Sequence, residues 1–227
     1  MPVREVESPA QGIWRIGKRP DPLEVAPPLS AGDLSSARTG NRFDSPTGTY
    51  GVLYFGSNLM GCFGEILGRL RPEAAVVELI KGDWAGKGFM DPGGIAADWR
   101  HRREAIRVTV TGSRPFLDVE SAATHRELFK ALAPALLALG HEDLDVSVVR
   151  GRDRRVTRLI SGWAFEQLDE DGGRRFAGLR YVSRISSDWE CWCVFPDCGL
   201  EVVERMPIRL DAPGLKDAAT LLGLRVF

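Results

Sequence analysis

An α+β fold in one domain, with a mixed sheet and flanking helices, is predicted by three observations. Stretches of two-residue apolar period and stretches of helical period are interspersed without a regular strand–helix–strand repeat, which argues against a doubly wound sheet. No G-x-G-x-x-G opens a helix, so binding of a ligand in the Rossmann manner is not expected. A chain of 227 residues, 44% hydrophobic, can bury one sizeable core, and no internal repeat divides residues 1–227 into more than one domain.

Ile13 to Ile16 reads as a short first strand. Lys18 to Gly40, with Pro27-Pro28 and Ser35-Ser36, reads as a long loop. Ordered loops of that length are uncommon unless functional, and this one is long enough to fold over a cofactor. After Gly48, Tyr50, Val52 and Tyr54 alternate with Gly51, Leu53 and Phe55, the period that puts every second side chain on one face of a strand. Asn58 is placed to cap the next helix, in which Leu59, Cys62, Phe63, Ile66, Leu67 and Leu70 form an apolar stripe.

At about 100° per residue, Glu65 falls outside that stripe, on a sector shared with Asn58, Gly61 and Gly68. Gly61, Gly64 and Gly68 weaken a short helix, which implies a close approach to its backbone, by a packed strand or by a ligand lying across the small-residue face.

Further along, Ala75 to Ile80 is expected as a strand and Gly82 to Gly94 as a glycine-rich loop. The pair Gly86-Lys87 lacks the spacing and the following Ser or Thr of a phosphate-binding P-loop. Ile106 to Val110 and Phe116 to Val119 suggest strands. Ser121 to Leu139 and Val156 to Leu168 suggest amphipathic helices. Leu179 to Ser183, Cys191 to Phe195 and Glu201 to Arg209 are the last expected strands, before a helix from Leu215 to Leu222.

Composition excludes several classes. The net charge of −1 supplies no general attraction to nucleic acid or membrane. The first residues carry no basic segment followed by an apolar run, no stretch is long enough to span a bilayer, and four cysteines fit a reducing cytoplasm. Cys191, Cys193 and Cys198 are poorly spaced for zinc and read as free buried thiols, so no metal is expected. G-x-S-x-G and H-E-x-x-H are absent. His101, His125 and His141 are expected as solvated surface residues. Two arginine-rich runs, Arg100 to Arg103 and Arg150 to Arg158, read as solvated faces; binding of nucleic acid phosphates or of an acidic partner surface are the functional alternatives.

One set of segments goes further. Ile13-Trp14-Arg15-Ile16, Asn41-Arg42-Phe43, Val52-Leu53-Tyr54, Glu65, Gly178 to Arg184 and Val194-Phe195 occur in an order that resembles the RES domain, from about Gly12 to Glu204. The resemblance implies a fold similar to ADP-ribosyltransferases and consumption of NAD by the toxin half of a bacterial toxin–antitoxin pair. It also implies an Xre-type antitoxin as partner. The family's arginine falls on Arg42, its glutamate on Glu65 and its serine on Ser183; Tyr54 and Arg15 match its tyrosine and early arginine.

Each residue type suits that chemistry. Breaking the nicotinamide–ribose bond of NAD develops positive charge on the ribose, which a carboxylate at Glu65 stabilises. Arginine's planar fork suits phosphate oxygens, the role given to Arg42 and Arg15. Tyr54 is expected to hold the nicotinamide or its ribose, and Ser183 to position Glu65 or a ribose hydroxyl. Water, inorganic phosphate or a protein acceptor of ADP-ribose can each attack the activated ribose. A nucleic-acid-binding or nuclease-type toxin and an inactive partner-binding scaffold are the alternatives.

Overall fold

The computed structural model describes residues 2–84 and 88–227. In chain order its strands are β1 (Glu5–Val6), β2 (Ile13–Lys18), β3 (Leu53–Gly56), β4 (Gly94–Ile95), β5 (Arg103–Thr111), β6 (Phe116–Asp118), β7 (Gly178–Val182), β8 (Glu190–Val194), β9 (Gly199–Pro207) and β10 (Arg225–Val226). The helices are α1 (Ala31–Leu34), α2 (Leu59–Leu67), α3 (Ala74–Trp84), α4 (Ala97–His101), α5 (Ala122–Ala138), α6 (Val146–Val149), α7 (Arg154–Glu166) and α8 (Leu215–Leu221). Eight strands form one sheet in the order β1-β6-β7-β8-β3-β2-β5-β9. Only β6 and β7 pair parallel in it, so the sheet is mixed and the fold is α+β.

Alternation along β3 sorts the core. Leu53 and Phe55 enter a cluster with Ile13, Ile106, Val108, Trp192 and Val194, drawn largely from strands, so the sheet curls around it. Tyr54 packs on the opposite side, against a cluster shared with α5 and α7 that contains Tyr50 and Val52. The sequence period is therefore real from Tyr50 onward, although only Leu53–Gly56 is ladder-paired. A third cluster joins α2 and α8 to Ile16 and Ala105.

The stretch expected as a strand at Ala75 to Ile80 is helical, inside α3. Ala74, Ala75, Glu78, Leu79 and Lys81 favour helix individually, and β-branched Val76 and Val77 are outvoted. No residue of α3 is buried, so no neighbouring strand was available to impose pairing. The pair Gly86-Lys87 lies outside the described residues. Among the described residues, no helix is long and apolar enough to cross a membrane.

The glycines of α2, and Gly68 directly after it, have a protein neighbour. A Cβ built on Gly64 would lie 2.0 Å from Trp189 Cζ3, one on Gly61 3.3 Å from Trp189 Cβ, and one on Gly68 2.4 Å from Ile185 Cδ1. The close approach comes from the turn joining β7 to β8, which takes the place a ligand was offered at that face. Gly64→Ala must displace a buried indole. It is expected to destabilise the chain by about 1–3 kcal/mol, read from the urea midpoint, while Gly82→Ala in α3, with nothing within 4 Å, leaves stability equal or raises it by up to ~1 kcal/mol.

Candidate functional site

Glu65 is placed by α2 and oriented by the turn docked on it. The Asn58 side chain accepts from Gly61 N–H at 2.8 Å and starts the helix; Glu65 follows about two turns later, half-buried, on the sector away from the apolar stripe. Ser183 follows directly on β7 and is 2% exposed. Its Oγ accepts from the Ile185 N–H at 2.9 Å and donates in a short hydrogen bond to Glu65 Oε1. A hydroxyl whose hydrogen is held by a carboxylate and whose lone pair is held by the backbone is a positioning group. The second oxygen of Glu65 has no protein hydrogen-bond partner among the described residues.

Glu65 borders a cleft of about 570 Å³ that Arg15, Arg42, Tyr54, Arg69 and Tyr181 also line, a volume within the ~300–1,000 Å³ of small-molecule sites. Four of the residues selected from sequence thus meet in one cleft, with Ser183 behind the carboxylate.

Their polar atoms are partly committed. Arg15 donates from Nε to Pro22 O (2.7 Å) and from Nη1 to Tyr54 O (3.1 Å), tying the long loop to β3. Burial lowers its pKa from the usual arginine value, opposed by nearby Cys62, Asp21 and Tyr54; a guanidinium stays charged regardless. Arg42 donates to Val182 O and Val149 O, both at 3.1 Å, with its guanidinium carbon 4.9 Å from the Tyr181 ring centre. Its plane is fixed by stacking, and its Nε is buried without a partner. Each guanidinium keeps further N–H groups beyond those bonded. Truncating Arg42 therefore removes a loop anchor as well as a charge.

Tyr54 presents its ring to the cleft but spends its hydroxyl internally. It donates to Asp44 Oδ1 at 3.2 Å and accepts from Phe43 N–H at 2.9 Å. Asp44 also accepts from Asn41 N–H at 2.6 Å, so the Asn41–Asp44 loop hangs on this tyrosine. The sequence offered Tyr54 as a group to hold the nicotinamide or its ribose, by its ring or its hydroxyl, with no sign that Asp44 engages that hydroxyl. Sequence reasoning also missed Arg69, whose Nη2 donates to Asn41 Oδ1 at 2.8 Å; a position four residues beyond Glu65 on the same helical face was the available signal.

Beneath the cleft lie unreactive thiols. Cys62, Cys191 and Cys193 are free and buried. Burial pushes Cys62 up to about 12 and the other two well above the usual thiol value. A thiol kept protonated in the folded chain contributes stability that is complete below its ordinary value near 9 and is lost as pH rises through its folded value. The denaturant midpoint is accordingly expected to fall as pH is raised from about 9 towards 12; an unchanged midpoint over that window would show that the thiols ionise without cost. Among the described residues, no group of three or more His, Cys, Asp or Glu could hold a metal.

The arginine runs do not form continuous faces. Arg150 pairs with Glu120 at 2.8 Å and Arg155 with Asp153 at 2.6 Å. Arg158 is buried and bonded to backbone carbonyls, as is Arg100. Arg152 and Arg154 border a recess beside Glu65. His125, expected at the surface, is buried and donates from Nε2 to Val119 O at 2.8 Å, so the residue just after β6 holds it inside.

A family model described as RES domain matches residues 13–212. A search of curated proteins found no match.

Proposed function

Because the chain belongs to the RES domain family, we propose that it is the NAD-consuming toxin of a toxin–antitoxin pair, and that it cleaves the nicotinamide–ribose bond of NAD. The family supports an NAD-related toxin role. The observation that carries the finer reading is the Glu65 carboxylate, fixed on one oxygen by buried Ser183 and unpartnered on the other, at the edge of a ligand-sized cleft.

In this reading Glu65 accepts a ribose hydroxyl and stabilises the positive charge that develops as the bond to nicotinamide breaks. Ser183 holds the carboxylate in position, so little reorganisation accompanies the reaction. Tyr54 and Tyr181 offer ring surface to the cleft, and Arg15 and Arg42 supply positive charge near the phosphates. The electron pair of the breaking bond goes to the pyridinium nitrogen, and nicotinamide leaves neutral. No residue needs to become a covalent nucleophile.

The antitoxin, of Xre type, is a separate chain. Of the arginines behind the nucleic-acid-binding alternative, Arg150, Arg155 and Arg158 are bonded within the protein, whereas Arg152 and Arg154 border the recess beside Glu65. The test is incubation of purified protein with NAD and identification of the nucleotide product by mass. Free ADP-ribose identifies water as acceptor, phosphorylated ADP-ribose identifies phosphate, and ADP-ribose attached to polypeptide identifies a protein. NAD left intact with each acceptor supplied refutes the reading.

A further inference from the structure

The segment that follows β2 forms one wall of the cleft. Asp21, Glu24, Val25, Ala26 and Pro27 line it, and among the described residues none of the five borders the recess beyond Glu65. The wall is seated on glycines. Pro22 is buried and packs so closely on Gly17 that a Cβ has no room there; the Val25 side chain does the same at Gly51, and Leu29 at Gly40. Arg15 adds its bond to Pro22 O at 2.7 Å. Between the first two seats, Asp21 Oδ1 accepts from Leu23 N–H at 2.9 Å and Glu24 N–H donates to Asp21 O at 3.1 Å. The two carboxylates therefore stand on a preformed turn.

Both are exposed, and among the described residues neither forms an ion pair. The Glu24 carboxylate accepts no hydrogen bond there, and Asp21 keeps one oxygen free. An ionised carboxylate only accepts, so these groups suit a ligand's donors. Arg15 lies between β3 and the wall, bonded to Tyr54 O on one side and Pro22 O on the other. Lys18 and its ladder partner Arg103 continue the positive charge at that end. The cleft thus runs from a carboxylate at Glu65, past Arg15, to two carboxylates on the wall. A dinucleotide runs from ribose through diphosphate to ribose.

We infer that Asp21 and Glu24 receive the adenosine ribose of the dinucleotide, accepting from its 2′- and 3′-hydroxyls, and that they select a dinucleotide without a 2′-phosphate. This rests on the proposed use of NAD and names the determinant of that choice. A vicinal diol presents two donors side by side to carboxylate oxygens, the pairing that an acidic residue makes with the ribose in other dinucleotide sites. A phosphate ester at O2′ removes one donor and sets negative charge against negative charge.

ADP-ribose and 2′-phospho-ADP-ribose, titrated calorimetrically, test the selection without any turnover. The wild type is expected to bind ADP-ribose about tenfold or more tightly than its 2′-phosphate. D21N/E24Q keeps the turn, since an amide oxygen still accepts from Leu23, and is expected to bring the two affinities within about threefold. Both side chains are exposed, so circular dichroism of the variant is expected to match wild type. Glu170→Gln, in an exposed turn, serves as the charge control and is expected to keep the wild-type ratio. Equal affinities in the wild type overturn the proposal. So does a wild-type ratio in D21N/E24Q, because the carboxylates then face another donor, such as the adenine amino group. Failure of both ligands to bind the folded protein overturns it as well. The proposed cleavage fails separately: NAD left intact by a chain that binds ADP-ribose with the expected preference refutes cleavage and upholds the selection, whereas equal kcat/KM for NAD and its 2′-phosphate upholds cleavage and overturns the selection.

Discussion

Replacing Glu65 with alanine is expected to cut nicotinamide release by about 10²–10³-fold and to leave the melting temperature close to wild type. The two effects separate because Glu65 sits on the polar sector of α2, half-buried, and its one protein hydrogen bond is from Ser183. Losing that bond costs stability only about 0.5–1.5 kcal/mol, whereas among the described residues the carboxylate is the only negative charge placed on both the cleft and the recess. Glu65→Gln sharpens the result. The amide oxygen still accepts from Ser183, so orientation is kept and charge alone is lost. Glutamine is expected to fail as alanine does; turnover near wild type would show that a hydrogen bond, not a charge, is what the reaction needs.

The largest effect on stability is expected at Arg158. Its side chain is 1% exposed, and among the described residues no carboxylate pairs with it. Instead Nη1 donates to the carbonyls of Asp33, Leu34 and Ser36, at 3.4, 2.9 and 3.2 Å, and Nη2 donates to Thr39 O. One guanidinium therefore gathers the end of α1 and the loop that leads into Asn41 and Arg42. Arg158→Ala strips donors from those carbonyls and leaves a void. It is expected to destabilise the fold by about 3–5 kcal/mol, measured by denaturant unfolding. Arg158→Lys keeps the charge but lacks the fork and is expected to recover only part of the loss. A loss under about 1 kcal/mol in the alanine variant would mean that water replaces the guanidinium without penalty.

These two residues also mark what the sequence makes legible. Local physics exposes Glu65: a capped helix, an apolar stripe and one carboxylate off it are all written between Asn58 and Leu70. The order of short segments around it identifies the family, and Ser183 meets Glu65 as the positioning group. The glycines of α2 announce a close neighbour but cannot name it, because Trp189 lies far along the chain and only folding brings it there. The same limit applies to Tyr54, whose alternation is visible but whose hydroxyl is claimed by Asp44 through a loop closure that no period encodes. Arg158 looks like one more member of a charged run. Arg154 and Arg158 share a face of α7, yet one lies at a recess mouth and the other a turn deeper under the Asp33–Thr39 loop. Burial, not sequence context, divides them. At α3 intrinsic helix propensity wins because the segment packs on nothing that would hold it extended.

The most direct measurement is nicotinamide release from NAD by the wild-type chain, purified free of any partner and shown to be folded, beside Glu65→Gln under the same conditions. Release by the wild type and its loss in the variant is the predicted result. NAD that stays intact with the folded wild type, in the presence of water, phosphate and cell extract in turn, would contradict the account.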